Sequence, residues 1–406
     1  MLSLFPRTKT PLITLIILAC SIVPARAERK NSYGASIDFM SGESNQAGQS
    51  NFSLESVKEG MKPFYSIYPS INLDSIGQHS TINLNYTFGA ERFEMDPAFT
   101  TMSHTFNGSI GVQMGRRTRF RLSDTLNSAP EYSTIIALKG IVPSDQGFRF
   151  VFEPQLYKRS NISNNAGIGF DFDLTQKSFL TFSASGSFRN YDDAAKQSSL
   201  SDQYRIEGNL GFSHKQTARL TWSLKYNVWQ NDYKNFPQTR SHAATFGLVH
   251  NIRPTLQLTL EAGPSFTEKQ KAEKAYVNYI INASISKKFR SNSFFAGYSH
   301  YASDSTGLGS ATESHQGTLG FSKSLSRNIS LNFNSSAFKQ MGRSGDTNNY
   351  WGVSGSAALS WQLGRHFVTT LGSSYMGYQG GNNYSNRRFY ISFGYRSHGM
   401  RGREVS

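Results

Sequence analysis

From residue 30 onward, apolar residues recur at every second position, the period of a half-buried strand and not the 3.6-residue period of a helix. Ile82, Leu84, Tyr86 and Phe88 fall on one face, with Asn83, Asn85 and Thr87 on the other. Phe106, Ile110, Val112 and Met114 alternate with Asn107, Ser109 and Gln113 in the same way. Leu220–Val228, Leu256–Leu260, Ile329–Phe333 and Phe389–Tyr395 repeat the pattern. It predicts strands over residues 32–41, 63–73, 80–90, 102–114, 118–126, 164–174, 179–190, 203–214, 218–230, 240–251, 255–266, 275–289, 293–302, 312–325, 329–340, 350–363, 366–377 and 387–397, about 18 in all. The alternation is weakest in 240–251 and 293–302.

Such alternation fits a soluble sandwich or a transmembrane antiparallel β-barrel, and three features favour the barrel. The predicted strands run to roughly 10–12 residues, the length a tilted bilayer-spanning strand needs, whereas soluble strands are nearer five or six. The connections alternate between short turns, such as Gly115–Thr118 and Arg253-Pro254, and longer polar loops, such as Asp192–Asp202 and Met341–Asn349. Finally, Trp351 and Trp361 share one face of a single strand. Ten residues at about 3.3 Å, tilted by roughly 45°, cover about 23 Å of height, close to the apolar band between two aromatic girdles. Val353, Gly355, Ala357 and Leu359 fill the band, while Ser354, Ser356, Ser360 and Gln362 face the opposite way. The fold class expected is all-β: a barrel of about 18 strands (alternatively 16), with short periplasmic turns and longer extracellular loops.

Composition agrees. Only 37% of the chain is hydrophobic, yet 13% is aromatic and 17% charged. A wall with one face in lipid and one in water averages to this composition. Before the strands, Arg7 and Lys9 precede an apolar run from Leu12 to Val23, followed by Pro24 and Ala25-Arg26-Ala27. This is the layout of a signal peptide over residues 1–27, with the run too short to span a bilayer as a helix. Cleavage leaves 39 basic against 27 acidic residues, lowering the formal charge from +15 to +12. The single cysteine, Cys20, lies in the apolar run. Ile17-Leu18-Ala19-Cys20 loosely resembles a lipobox, although Leu18 is bulky for its place. One Cys excludes a disulfide framework and a multi-Cys zinc site.

The barrel is expected over 28–397, with a polar tail over 398–406. Asn127–Ser163 is the third outward connection and the longest. Connections of this length are usually functional. Glu131, Lys139, Asp145, Arg149 and Glu153 are its candidates for a charged constriction folded into the channel. The competing reading is a surface hairpin carried by Phe148, Phe150 and Phe152.

No catalytic constellation emerges. Hydrolysis needs a nucleophile with a positioned base, or paired acids. None of the histidines, among them His104, His242, His300 and His315, lies in an H-E-x-x-H or G-x-S-x-G context. Ser103-His104 and Ser314-His315 are chance-level pairs in a Ser-rich chain. No catalytic residue, cofactor or metal site is expected, and an exported barrel does not point to nucleic acid. Glu268–Lys274 reads as a solvated charged loop, or as a contact for lipopolysaccharide phosphates. By strand parity, Arg205, Glu207, Lys225, Glu261 and Lys339 line the lumen. Charged rings bias ion preference, and the net basic charge suggests an anion lean.

The alternating chain, with the signal peptide and Phe64–Pro69 leading into Ser70-Ile71-Asn72-Leu73, resembles outer-membrane β-barrel (porin-like) proteins, some associated with exopolysaccharide export loci. The resemblance covers most of the mature chain as a style of sequence. It implies an outer-membrane location and a channel for small or oligomeric polar solutes. Its partners would be outer-membrane lipid and lipopolysaccharide, the barrel assembly machinery, and a polar solute or polysaccharide. An exopolysaccharide conduit or accessory barrel and a non-conducting structural barrel are the other functions compatible with it. The chain departs from many such barrels in continuing past its last aromatic strand, Phe389–Tyr395, into a polar tail.

Overall fold

The structure, a computed structural model, describes residues 30–45, 61–93, 96–130, 143–144, 147–148, 160–191, 202–234, 237–269, 275–304, 311–342, 350–379, 384–397 and 400–401. Its 18 long strands are β1 (Lys30–Ser44), β2 (Lys62–Ile76), β3 (Ser80–Phe93), β4 (Asp96–Gln113), β5 (Thr118–Pro130), β6 (Ser160–Asp173), β7 (Ser178–Tyr191), β8 (Gln203–Lys215) and β9 (Leu220–Tyr233), followed by β10 (Thr239–Arg253), β11 (Leu256–Lys269), β12 (Tyr276–Lys288), β13 (Asn292–Asp304), β14 (Ala311–Ser324), β15 (Ile329–Gly342), β16 (Tyr350–Leu363), β17 (Phe367–Gln379) and β18 (Tyr384–Arg396). Each pairs antiparallel with the next. β1 also pairs with β18, from Ser36 opposite Arg396 to Ser44 opposite Arg388, which closes the sheet into a barrel. Closure leaves no long strand with an unpaired edge, the condition a sheet must meet in hydrocarbon.

Burial is inside-out. The most enclosed side chains include Asn231 at 1% exposure, Thr239 at 1%, Ser241 at 2% and Ser265 at 0%, whereas Ile206 is 65% exposed, Ile71 61% and Leu371 61%. A water-soluble fold would reverse these assignments. A wall with an apolar outer face and a polar inner face produces them. The two faces keep strict alternation within a strand. On β10, Thr239, Ser241, Ala243, Thr245 and Gly247 are buried, while Arg240, Ala244 and Phe246 are exposed. The weak alternation of this strand in the sequence therefore reflects Ala and Gly on the inner face, not a change of period.

The turns at the end of the barrel near Lys30 are short. Thr175 Oγ1 accepts from the N–H groups of Lys177 and Ser178 at 3.1 and 2.9 Å. Thr217 does the same for Arg219 and Leu220, and Ser326 for Asn328 and Ile329. These hydroxyls bond to the turn's own backbone donors, as Ser and Thr do in short turns. Gly115 and Gly364 occupy positive φ, 109° and 76°, in two more of these turns, a conformation glycine adopts without the Cβ penalty. Within the wall, two prolines interrupt the ladder. The β2–β3 ladder keeps one register from Ile67–Ala90 to Ser70–Thr87 but lacks the pairs between them, around Pro69, and β10–β11 likewise lacks those between Ala243–Ser265 and Phe246–Ala262, around Pro264. Proline has no N–H to contribute at either place.

Two expected boundaries change. Asn127 and Ser163 are paired, and the ladder continues to Pro130 opposite Ser160, so the third outward connection is shorter than Asn127–Ser163. Glu131, Lys139, Asp145, Arg149 and Glu153 lie outside the described residues. So do residues 1–27, including Cys20. The tail does not leave the barrel at once: Ser397 N donates to Ala35 O and its Oγ accepts from Ala35 N, each at 2.8 Å. Met400 and Arg401 then pair with Tyr33 and Ser32. The first residues of β1 extend past the end of β18, and the tail supplies their missing partners.

Candidate functional site

The candidate site is the inner wall. Opposed strands of an 18-stranded barrel lie about 36–39 Å apart, from a strand spacing of about 4.8 Å and a tilt of about 40–45°. Side chains alone do not fill that width. The residues that line the interior are therefore the inward positions.

Four of the five residues read as lumen-facing point inward and form two pairs. Arg205 and Glu207 are two apart on β8, on one face by strand periodicity, and their charged atoms meet at 2.9 Å. The Arg205 guanidinium also lies 5.5 Å from the centre of the Trp229 ring, an inward tryptophan the alternation had not singled out. Lys225 Nζ on β9 meets Glu261 Oε2 on β11 at 2.9 Å, spanning the intervening β10. Gly247 on β10 lies opposite Glu261, and Thr245 donates to Glu261 Oε1 at 2.8 Å, so this strand leaves room for the bridge and contributes to it.

Lys339, expected in the lumen, does not face it. It lies opposite Trp351 on the outward face and is exposed. It shares the parity of Leu331 and Phe333. The neighbouring Phe338 is an apolar side chain that points inward, 5% exposed, against Gly352. A lysine beside a tryptophan on the outer face fits an interfacial anchor whose ammonium reaches toward headgroups.

Charges the sequence reading missed complete the wall. Near the short turns, Arg121 meets Asp171 at 2.7 Å, and Arg119 meets Asp173 at 3.5 Å. Toward the opposite end, at the β1–β18 closure, Arg388 and Glu91 meet at 3.0 Å with side chains only 5% and 7% exposed. Tyr68 donates to Glu91 at 3.2 Å, and the Arg388 guanidinium stands 5.2 Å from the Phe64 ring centre. Met40, Phe64, Tyr68 and Tyr390 pack together around this pair. Gly372 lets the Tyr390 ring lie flat on the wall, since a Cβ there would overlap it. Arg388 was invisible to spacing arguments because its partner is 297 residues away.

On the outer face, Trp351 and Trp361 are 49% and 51% exposed, at opposite ends of β16. Around the rim near the long loops, tyrosine pairs with histidine on the next strand: Tyr86 with His104 at 2.8 Å, Tyr226 with His242 at 2.7 Å, and Tyr298 with His315 at 2.9 Å. Arg387 lies 5.7 Å from the Tyr375 ring centre on the same face. Histidine thus joins the aromatic residues of this rim, a role alternation alone did not reveal. One polar pair also sits outward: Asp124 shares the face of Leu122 and Leu126 and accepts from Asn164 at 2.7 Å.

No family model matches the chain, and no curated protein matches it. Among solved structures, it is similar to OpdL of Pseudomonas aeruginosa, at 11% identity over 90% of this chain and 98% of that one, with a TM-score of 0.47. OccAB4 of Acinetobacter baumannii gives 10% identity over 92% of this chain and 100% of that one, with a TM-score of 0.46. The FrpB iron transporter of Neisseria meningitidis gives 11% identity over 86% and 62%, with a TM-score of 0.45. Likeness at this level assigns no function.

Proposed function

We propose that the chain is a porin-like channel of the outer membrane, passing small or oligomeric polar solutes by diffusion. The observation that carries this reading is the inside-out wall, apolar toward lipid and lined with hydroxyls, amides and ion pairs, on a barrel too wide for those side chains to close. The channel leans only weakly toward anions. Arg119, Arg121, Arg205, Lys225 and Arg388 each touch a carboxylate, so the wall neutralises them and any preference arises from basic residues at the rims, such as Arg116, Arg117 and Arg365.

Liposome swelling tests the reading. Vesicles holding the folded full-length chain should swell in neutral mono- and disaccharides, faster for the smaller sugar. A singly charged anionic sugar acid should enter somewhat faster than a cationic amino sugar of similar size. Absence of swelling with a folded barrel would leave the structural-barrel reading. Swelling or blockage confined to long acidic glycans would favour an export conduit.

A further inference from the structure

We propose that His300, Glu313 and His315 form a binding site for a divalent transition cation of the Zn²⁺ class on the outer face of the wall. His300 on β13 lies directly opposite His315 on β14, and Glu313 is two residues before His315, hence on the same face. That face is the outward one, because Tyr298 and Leu319 share it and are 43% and 50% exposed. All three lie toward the end of their strands that carries the long loops. One potential donor atom from each residue lies within 4.8 Å of the others. Three ligands around Zn²⁺ at 2.0–2.2 Å stand about 3.4 Å apart, so small side-chain rotations complete the site.

Two observations orient the imidazoles. The His300 ring is sandwiched between Tyr279, stacked at 4.0 Å, and His315, at 4.4 Å, and is fully enclosed, at 0% exposure. Its Nδ1 donates to the Tyr279 carbonyl at 2.9 Å. A carbonyl only accepts, so the proton is on Nδ1 and the lone pair on Nε2, as in metal-binding histidines held by a backbone carbonyl. His315 Nδ1 is engaged by Tyr298 Oη at 2.9 Å; with Nδ1–H donating, its Nε2 is likewise the ligand. Two imidazoles and one carboxylate suit Zn²⁺ and neighbouring transition ions over Mg²⁺ or Ca²⁺, which prefer all-oxygen shells.

The other rim pairs provide an internal control. Tyr86–His104 and Tyr226–His242 reproduce the Tyr–His contact, yet among the described residues only the β13–β14 group adds a second histidine and a carboxylate. A girdle role accounts for the Tyr–His pairs but not for the third and fourth partners.

Calorimetric titration of Zn²⁺ alone into the folded full-length chain in detergent should show one tight site per chain. His315→Ala and Glu313→Gln should each weaken it at least tenfold, while His104→Ala and His242→Ala leave it unchanged. Excess Mg²⁺ should not compete. Zn²⁺ binding that is absent, or unaltered in both His315→Ala and Glu313→Gln, would overturn the proposal. Should either variant fail to fold, Co²⁺ added to the unmodified chain gives an independent answer. Visible d–d bands of a four- or five-coordinate ion, bleached by Zn²⁺, are expected; a spectrum identical to aqueous Co²⁺ would refute the site.

Discussion

Replacing Arg388 by Met should destabilise the folded barrel by about 3–5 kcal/mol, because it strands the Glu91 carboxylate in an enclosed place. The pair meets at 3.0 Å, with both side chains less than a tenth exposed, and the surrounding groups are Tyr68, Phe64, Met40 and Tyr390. Bulk water does not replace the lost guanidinium there. Glu91→Gln should cost less than Arg388→Met, because the amide can still accept from Tyr68 and from Arg388. The double variant Glu91→Gln, Arg388→Met should recover part of the loss, the signature of direct coupling. The readout is the urea midpoint of the detergent-folded barrel, followed by its heat-modifiable gel mobility. An Arg388→Met barrel as resistant as the unmodified chain would remove this cluster from the account of closure.

The second large effect is a contrast between neighbours. Ala357→Arg should destabilise the membrane-inserted barrel by about 2–4 kcal/mol, the cost of a guanidinium on the lipid face near the bilayer midplane. Ser356→Arg, one residue away, should change stability little. Ala357 shares the outward face with Trp351 and Trp361 and lies between them, whereas Ser356 lies opposite Asn334 on the inner face. Stability is compared for barrels refolded into lipid vesicles. Equal costs at the two positions would mean that β16 does not separate lipid from water.

The strands and their parity were legible because alternation is a local property, and the lipid face enforces it residue by residue. Trp351 and Trp361 could be placed from one strand alone. Lys339 belongs by the phase of Leu331 and Phe333 to the outward face, opposite Trp351, and its charge alone was no guide to the lumen. Trp229 and Asp124 escaped notice for related reasons, one a large aromatic on the inner face, the other a carboxylate on the outer. Arg205–Glu207 was readable as an i, i+2 pair, but the bridge from Lys225 to Glu261 required the register of three strands. The Arg388–Glu91 pair required closure of the whole barrel. His300 and His315 also passed as unrelated histidines until the β13–β14 register set them opposite each other.

A water-filled passage through a lipid-embedded barrel is tested most directly by single-channel recording of the folded full-length chain in a planar bilayer. Stable, long-lived openings are expected, with a current nearly linear in voltage and a small reversal potential toward anions in a salt gradient. A heat-modifiable, correctly folded barrel that inserts and yet shows no openings would contradict it.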